Sequence, residues 1–409
     1  MSYLLFFIYL VLASFFIPRT PFAQKTGLSY KALLLFFLAK IAAAVVLAFV
    51  THKFYPGNDY EGLNFYGQEE YKLLMSNPWT FFTSSYSVMH SINDGSWLSS
   101  TGSFWNDLEN TLLSKVLAIF NIFSRGNYYI NSLFFNCIGF FAHLSLFRMF
   151  SNIYPGRKMI LIIGCFLIPS TLYFSSGLHK DAIVFTAMAL YFYSLYFLVY
   201  EKISSRKILL LVFSFIIILL LRNFVSLILF PLTMLFMFTE KFKWKPVYAF
   251  GVFFMLAIIF IMFLPLLGIN PLKLIIDQRK AFEDLGYANT ALPPMQLQAS
   301  FKSIITHLPE AFANVFLRPF PWVLKPLWLL PFVLEMLVIF LIIGYSFFQP
   351  PGRRLDQPFI LLLVIFAFTM LLIIGYIVPN SGSIVRYRSL YLPFLLVPFL
   401  ATIQKRIIF

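Results

Sequence analysis

Long apolar runs, broken by short polar stretches, fill most of the chain. Runs long enough to cross a bilayer as helices fall at 2–17, 31–50, 128–150, 158–175, 181–200, 207–221, 223–239, 246–268, 326–348, 358–378 and 388–404. The pattern predicts an all-α polytopic membrane protein of about 11 transmembrane helices. The stretch 207–239 is one apolar run interrupted by Arg222–Asn223, which reads as two short helices meeting at a tip. The first run, Tyr3 to Ile17, has no Lys or Arg before it and no small-residue cleavage pattern, so a retained helix is expected. No internal repeat or low-complexity linker interrupts the chain, and 1–409 reads as a single transmembrane domain.

Two longer intervals, 51–127 and 269–325, carry most of the non-basic polar residues. Within the first, 107–124 ("DLENTLLSKVLAIFNIFS") has apolar residues at helical spacing and is expected to lie flat on the membrane surface. Trp79, Trp97 and Trp105 in the same interval are of the type that favours a membrane interface. In the second, "PLKLIIDQRKAFEDLG" and "SIITHLPEAFANVFLRPFPW" are both amphipathic.

Composition agrees with the pattern. The 409 residues are 60% hydrophobic and 11% charged, against about 25% charged in soluble proteins. The net charge of +15 would suggest a nucleic-acid partner if the charges were clustered on a polar domain. They are not. With the N-terminus outside, the short loops facing the cytoplasm hold sixteen basic residues, among them Arg148, Lys207, Lys243, Arg353, Arg354, Lys405 and Arg406. Only Glu201, Glu240 and Asp356 oppose them. Most of the positive charge is therefore topology, and no nucleic-acid partner is expected. Cys137 and Cys165 lie in apolar runs without metal-ligand spacing, so neither a disulfide framework nor a zinc site is expected.

The remaining cations are the informative ones. Lys180, Arg222, Arg318, Arg386 and Arg388 stand at outer helix ends in distant segments. Any one of them could snorkel to the interface. Five at one level predict a basic pocket for an anion, and phosphate suits guanidinium because it can be bound bidentately. "SSGLHKDAIV" (175–184) holds three of the relevant polar groups at the start of an apolar run. Asp181 is placed to cap the helix there. Lys180 is mildly repelled by the helix dipole and calls for another reason, such as an anionic ligand. His179 reads either as a phosphate donor or as incidental.

On the acidic side, the Pro56–Gly57–Asn58 turn follows the second run and delivers Asp59 and Glu61 just beyond the membrane. A carboxylate tied to a helix end beside cations can deprotonate a hydroxyl. Asp94, Asp107 and Glu109 compete for that role, and Glu69 and Glu70 read as a solvated loop. Lys40 and Glu335 fall inside apolar runs, where a charge is expensive unless it faces protein or water. Mutual pairing and a polar cavity are equally weighted. His143 reads as a core histidine.

A first outer loop opening on an acidic residue, the "YFSSGLHKD" junction, "RPFPW" and the closing "VRYRSLYLPFLLVPFLA" occur here in order. Together they resemble polytopic bacterial glycosyltransferases of the glycosyltransferase C superfamily and their envelope-polysaccharide relatives. The Arg386–Tyr387–Arg388 element before the Pro393 helix is the most telling part. The family's Asp-x-Asp pair is replaced by Asp59-x-Glu61. The resemblance implies a sugar donor on a polyprenyl phosphate or diphosphate. It implies an acceptor that is a glycan, lipid or protein, and transfer at the outer face of a bacterial inner membrane. Asp59 and Glu61 would be the catalytic carboxylates. Lys180, His179, Arg222, Arg318, Arg386 and Arg388 would hold the lipid phosphate. No cofactor is implied, no metal site is assigned, and a divalent metal is left open. A polysaccharide polymerase or ligase is the alternative of the same chemical class. A flippase for an anionic lipid, or a structural subunit of an envelope complex, comes after them.

Overall fold

The computed structural model of the protein describes residues 2–55, 57–84, 104–268, 270–284, 290–320, 329–348 and 357–403. Pro56, Asp94, Trp97, Trp322, Arg353, Arg354, Asp356, Lys405 and Arg406, which figured in the sequence reading, lie outside the described residues. Eight helices are long and apolar enough to cross a membrane, and no strand forms among the described residues. These features define an α-helical polytopic membrane protein.

The first half of the chain forms α1 (Ser2–Phe16), α2 (Pro21–Gln24), α3 (Tyr30–Phe54), α4 (Asp59–Ser76), α5 (Pro78–Thr83), α6 (Phe104–Ser124) and α7 (Tyr128–Ile153). Two short helices follow, α8 (Lys158–Phe166) and α9 (Pro169–Phe174), then α10 (Lys180–Tyr200) and α11 (Ser205–Leu221). The second half forms α12 (Asn223–Phe242), α13 (Pro246–Phe263), α14 (Pro271–Asp284), α15 (Phe301–Phe312), α16 (Leu330–Phe347), α17 (Pro358–Ile377), α18 (Ser381–Arg388) and α19 (Leu392–Thr402).

About eleven spans were expected, the 207–239 hairpin among them not needing to cross fully; among the described residues eight helices are long and apolar enough to cross, or nine if the bent pair α18–α19, with its 61° angle, is one span. The expected run 158–175 breaks into helices of nine and six residues. Pro169 causes the break. It has no N–H to continue a ladder, and its ring disfavours a helical residue before it. The run 207–221 forms α11, which is 17 residues long. Arg222 leaves helical geometry at φ −153°, and α12 starts at the next residue. The last run is divided after Arg388.

The chain divides into two compact units. Unit 1 comprises residues 1–156, 165–167 and 171–223. Here α10 packs on α7 and α11, α3 lies on α7, and α6 packs on both α4 and α7. Polar ties cross the apolar packing: Arg148 donates to the Tyr193 hydroxyl at 2.5 Å, and the Tyr196 hydroxyl donates to Asn152 at 2.8 Å. Helix starts carry side-chain caps where the sequence supplies them, Ser29 for α3, Asn58 for α4 and Asn127 for α7. The segment 107–124 forms most of α6, which buries Leu113, Leu117, Ala118 and Asn121, and leaves Val116, Ile119, Ile122 and Phe123 exposed.

Unit 2 comprises residues 157–164, 168–170 and 224–409. Its centre is α17, against which α14, α15 and α19 pack. Gly375 makes one close approach possible, because a Cβ there would lie 2.1 Å from the Ala311 carbonyl oxygen. By contrast α13 buries only Phe250 and exposes apolar side chains on all sides, the surface expected of a helix solvated by hydrocarbon. The cost of Gly375→Ala is expected to be about 1–3 kcal/mol, the cost of overpacking a tight contact. Thermal unfolding of the purified protein in detergent checks it. An unchanged midpoint would contradict the close packing of α15 on α17.

Candidate functional site

The most densely wired part of unit 1 is the junction from Ser175 to Asp181, between α9 and α10. α10 starts at Lys180, and His179 takes the capping position in extended backbone, its Nδ1 3.3 Å from the Asp181 amide. The expectation that Asp181 is the cap is corrected. With the helix beginning one residue earlier, Asp181 falls in the first turn and is buried. Its carboxylate receives Nη2 of Arg222 at 2.5 Å, from the end of α11. His179 Nδ1 also lies 3.2 Å from the other oxygen of that carboxylate. Nε2 of the same ring is 3.9 Å from the Asp59 carboxylate, whose side chain is 70% exposed. Asp59, His179, Asp181 and Arg222 thus form a chain of acid, imidazole, acid and guanidinium, with Asp59 at its open end.

Local structure explains each position. Asn58 caps α4 by accepting from the amides of Tyr60 and Glu61, which fixes Asp59 as the first helical residue. Glu61 turns the other way, to His52 at 2.7 Å and the Gly57 amide at 3.1 Å. Lys180 pairs with Glu109 of α6. The group formed by Asp59, Glu61, Glu109, Asp181, Lys180 and Arg222 is therefore acidic on balance, four carboxylates to two fixed cations. Glu69 pairs with Lys72, whereas Glu70, expected in a solvated loop, is fully buried in α4.

Lys40, on the buried face of α3, brings an ammonium to this junction and is only 1% exposed. Its Nζ donates to the Ser175 carbonyl and hydroxyl, each at 3.0 Å, and to the Ser176 hydroxyl at 3.3 Å. A fourth neighbour is Nε2 of His143 at 3.3 Å. His143 Nδ1 lies 2.6 Å from the Cys165 carbonyl, which can only accept, so Nδ1 carries the ring proton and Nε2 is an acceptor, facing Lys40 Nζ and, at 3.4 Å, the Ser175 hydroxyl. Asn136 donates to the Ser176 carbonyl at 2.8 Å. Gly177 is required for space: a Cβ would meet the Tyr60 ring at 2.5 Å and Leu47 at 2.8 Å.

Unit 2 holds the other three predicted cations. Arg388 is fully buried and works as a backbone clamp. Its Nη1 donates to the carbonyls of Val315 and Arg318, each at 3.1 Å, and its Nη2 to that of Phe332 at 3.4 Å. Those first two carbonyls close the π-helical turn Ala313–Leu317 that follows α15. Arg388 therefore shapes the backbone at Arg318 rather than presenting an open cation. Arg318 places Nη1 in the interior with no hydrogen-bond partner among the described residues, and its guanidinium lies 5.6 Å from the Phe320 ring centroid. Arg386 is half-buried beside Tyr387. Glu335 accepts from the Ser170 amide at 2.6 Å and its hydroxyl at 2.5 Å, so it caps the start of α9. Lys40 and Glu335 each find their partners within their own unit, and no mutual pair is needed to account for either.

Among the described residues no group of three or more His, Cys, Asp or Glu is gathered to hold a metal ion. Cys137 and Cys165 are free. Compared with protein-family models, characterised proteins and solved structures, the chain has no match.

Sequence reasoning placed Asp59, His179, Lys180 and Arg222 as candidates, and the structure gathers them with Asp181 and Glu109 in unit 1. It missed that Lys40 serves the Ser175–Ser176 turn. The available signal was a pair of serines before a glycine within a greasy segment. Lys40→Met keeps the stem and removes the ammonium, leaving the Ser175 carbonyl without this donor, at a cost of about 1–3 kcal/mol. Hydrogen–deuterium exchange of the full chain should then speed up several-fold in the 172–184 segment. Unaltered exchange there would show that Lys40 does not hold the turn.

Proposed function

We propose that the protein is a membrane glycosyltransferase. It moves a sugar from a polyprenyl phosphate or diphosphate carrier to an acceptor hydroxyl at the outer face of a bacterial inner membrane. The observation that carries this reading is the chain Asp59–His179–Asp181–Arg222, which ends in an exposed carboxylate fixed by the Asn58 cap. Such a carboxylate can take up the proton of an attacking hydroxyl. The acceptor oxygen forms its bond to the anomeric carbon while the bond to phosphate breaks and its electron pair leaves with the phosphate.

The leaving phosphate gains charge as it departs and calls for cations that are already oriented. In unit 1, Lys180 and Arg222 are oriented by Glu109 and Asp181. Hydrocarbon-facing helices suit a polyprenyl donor. The order of motifs that resembles the glycosyltransferase C superfamily supports the same reading. A product of one size corresponds to single-sugar transfer, and a ladder of sizes to a polymerase.

Alanine at Asp59 or at Lys180, each variant present at normal level, is expected to abolish one surface glycan. For Lys180 the loss should be on the order of 100-fold or more in rate, as for removal of an oxyanion donor. Gel analysis of surface glycan checks both. Normal glycan in both variants would contradict the assignment.

A further inference from the structure

α15 and the π-helical turn that follows it run along α17 instead of crossing its end. At the close of α17 the Tyr376 hydroxyl donates to the Ile304 carbonyl at 2.7 Å. Farther along the segment, Ala311 packs on Gly375, and Asn314 donates to the Gly375 carbonyl at 3.1 Å. The Phe316 ring then lies 5.9 Å from that of Phe368 and 6.4 Å from that of Phe340. Phe368 stands midway along α17 and Phe340 midway along α16, two helices long and apolar enough to cross a membrane. From Phe368 to the end of α17 is about 13 Å at the α-helical rise, close to the ~15 Å half-thickness of a hydrocarbon core.

Two further features set this segment apart from a loop in water. Its outward side is apolar. Ile305, Leu308, Phe312 and Leu317 are exposed, the first three at helical spacing, and Phe368, against which Phe316 stacks, is exposed as well. Lys302, His307 and Glu310, the charged or titratable residues of α15, all precede the Gly375 contact, and none follows them before Arg318. The second feature is the backbone. The carbonyls of Val315 and Arg318 are met by the fully buried guanidinium of Arg388. Water would meet them at a surface, but in hydrocarbon an open carbonyl has only protein to turn to. We infer that Phe301–Leu317 is a membrane-inserted arm. It enters beside the Ile377 end of α17, lays the side formed by Ile305, Leu308, Phe312 and Leu317 against lipid acyl chains, and carries Phe316 to the middle of the bilayer. Part of the 269–325 interval thus lies within the membrane, and this holds whether or not the protein is a transferase.

The test attaches a nitroxide in turn to Lys302→Cys, Ile305→Cys, Leu308→Cys and Leu317→Cys of the full chain, with Cys137→Ala and Cys165→Ala removing the two native thiols. The protein is held in nanodiscs of phosphatidylcholine and phosphatidylglycerol. Collisions with oxygen, which concentrates in hydrocarbon, and with a water-soluble nickel chelate give the depth of each label. Depth is expected to grow along the arm, with Leu317 about 10 Å or more deeper than Lys302. Nickel-dominated collisions at Ile305, Leu308 and Leu317 would place the arm in water, and equal shallow depths would lay it flat on the membrane surface; either result overturns the inference. Exclusion of both reagents from all three positions would mean that protein covers this side, and would overturn it as well. If a label unsettles the fold, seen as a lowered thermal midpoint, Leu317→Trp with both cysteines kept reads depth through its added fluorescence. Quenching by lipids brominated near the acyl-chain ends should then exceed quenching by lipids brominated near the headgroup. Equal quenching, or the reverse order, would contradict the inserted arm.

Discussion

Hydrocarbon offers a buried charge nothing to bond with, so every ion inside this protein must be met by the protein itself. Lys40 shows how far that constraint reaches. An ammonium in the middle of α3 draws two serines, a histidine and a carbonyl around it, and so pins the turn that precedes α10. Asn136 and the space kept by Gly177 complete the fixing of that turn. His179, Lys180 and Asp181 then leave it in directions set by a fixed backbone. The polar groups that could do chemistry are held by polar groups that do none.

Unit 2 meets the same constraint with different residues. Glu335 accepts from the start of α9, where Pro169 has broken the helix, and so turns a costly carboxylate into a cap. Arg388 supplies donors to carbonyls that the π-helical turn leaves open, and thereby fixes Arg318. In both units a charge that the membrane would reject is tied to a backbone irregularity that the membrane would also reject. Each satisfies the other.

The class of the protein was legible because spans depend on the hydrophobicity of single segments, which sequence records directly. The failures came where a neighbour decides. The run 158–175 is mostly apolar, yet Pro169 and a distant Glu335 make two short helices of it. Asp181 was assigned the cap because Asp is a common capping residue. Its true role depends on Arg222, forty-one positions away, which no local pattern connects to it. The amphipathic 107–124 pattern announced a helix but not its protein neighbours, α4 and α7, which only the folded chain brings together. Glu70 looked solvated beside Glu69 because sequence does not show that successive helical residues face different directions once a partner packs on one side.

The claim on which the account turns is that Asp181 and Arg222 act as one buried unit that holds the His179 end of the junction. A double-mutant cycle with Asp181→Asn and Arg222→Gln, read as unfolding of the full chain in detergent, measures it most directly. Each single change leaves a buried charge without its partner, and the double change leaves none. The account predicts that the double variant loses less stability than the two single variants together, by at least about 1 kcal/mol. Losses that simply add would contradict it.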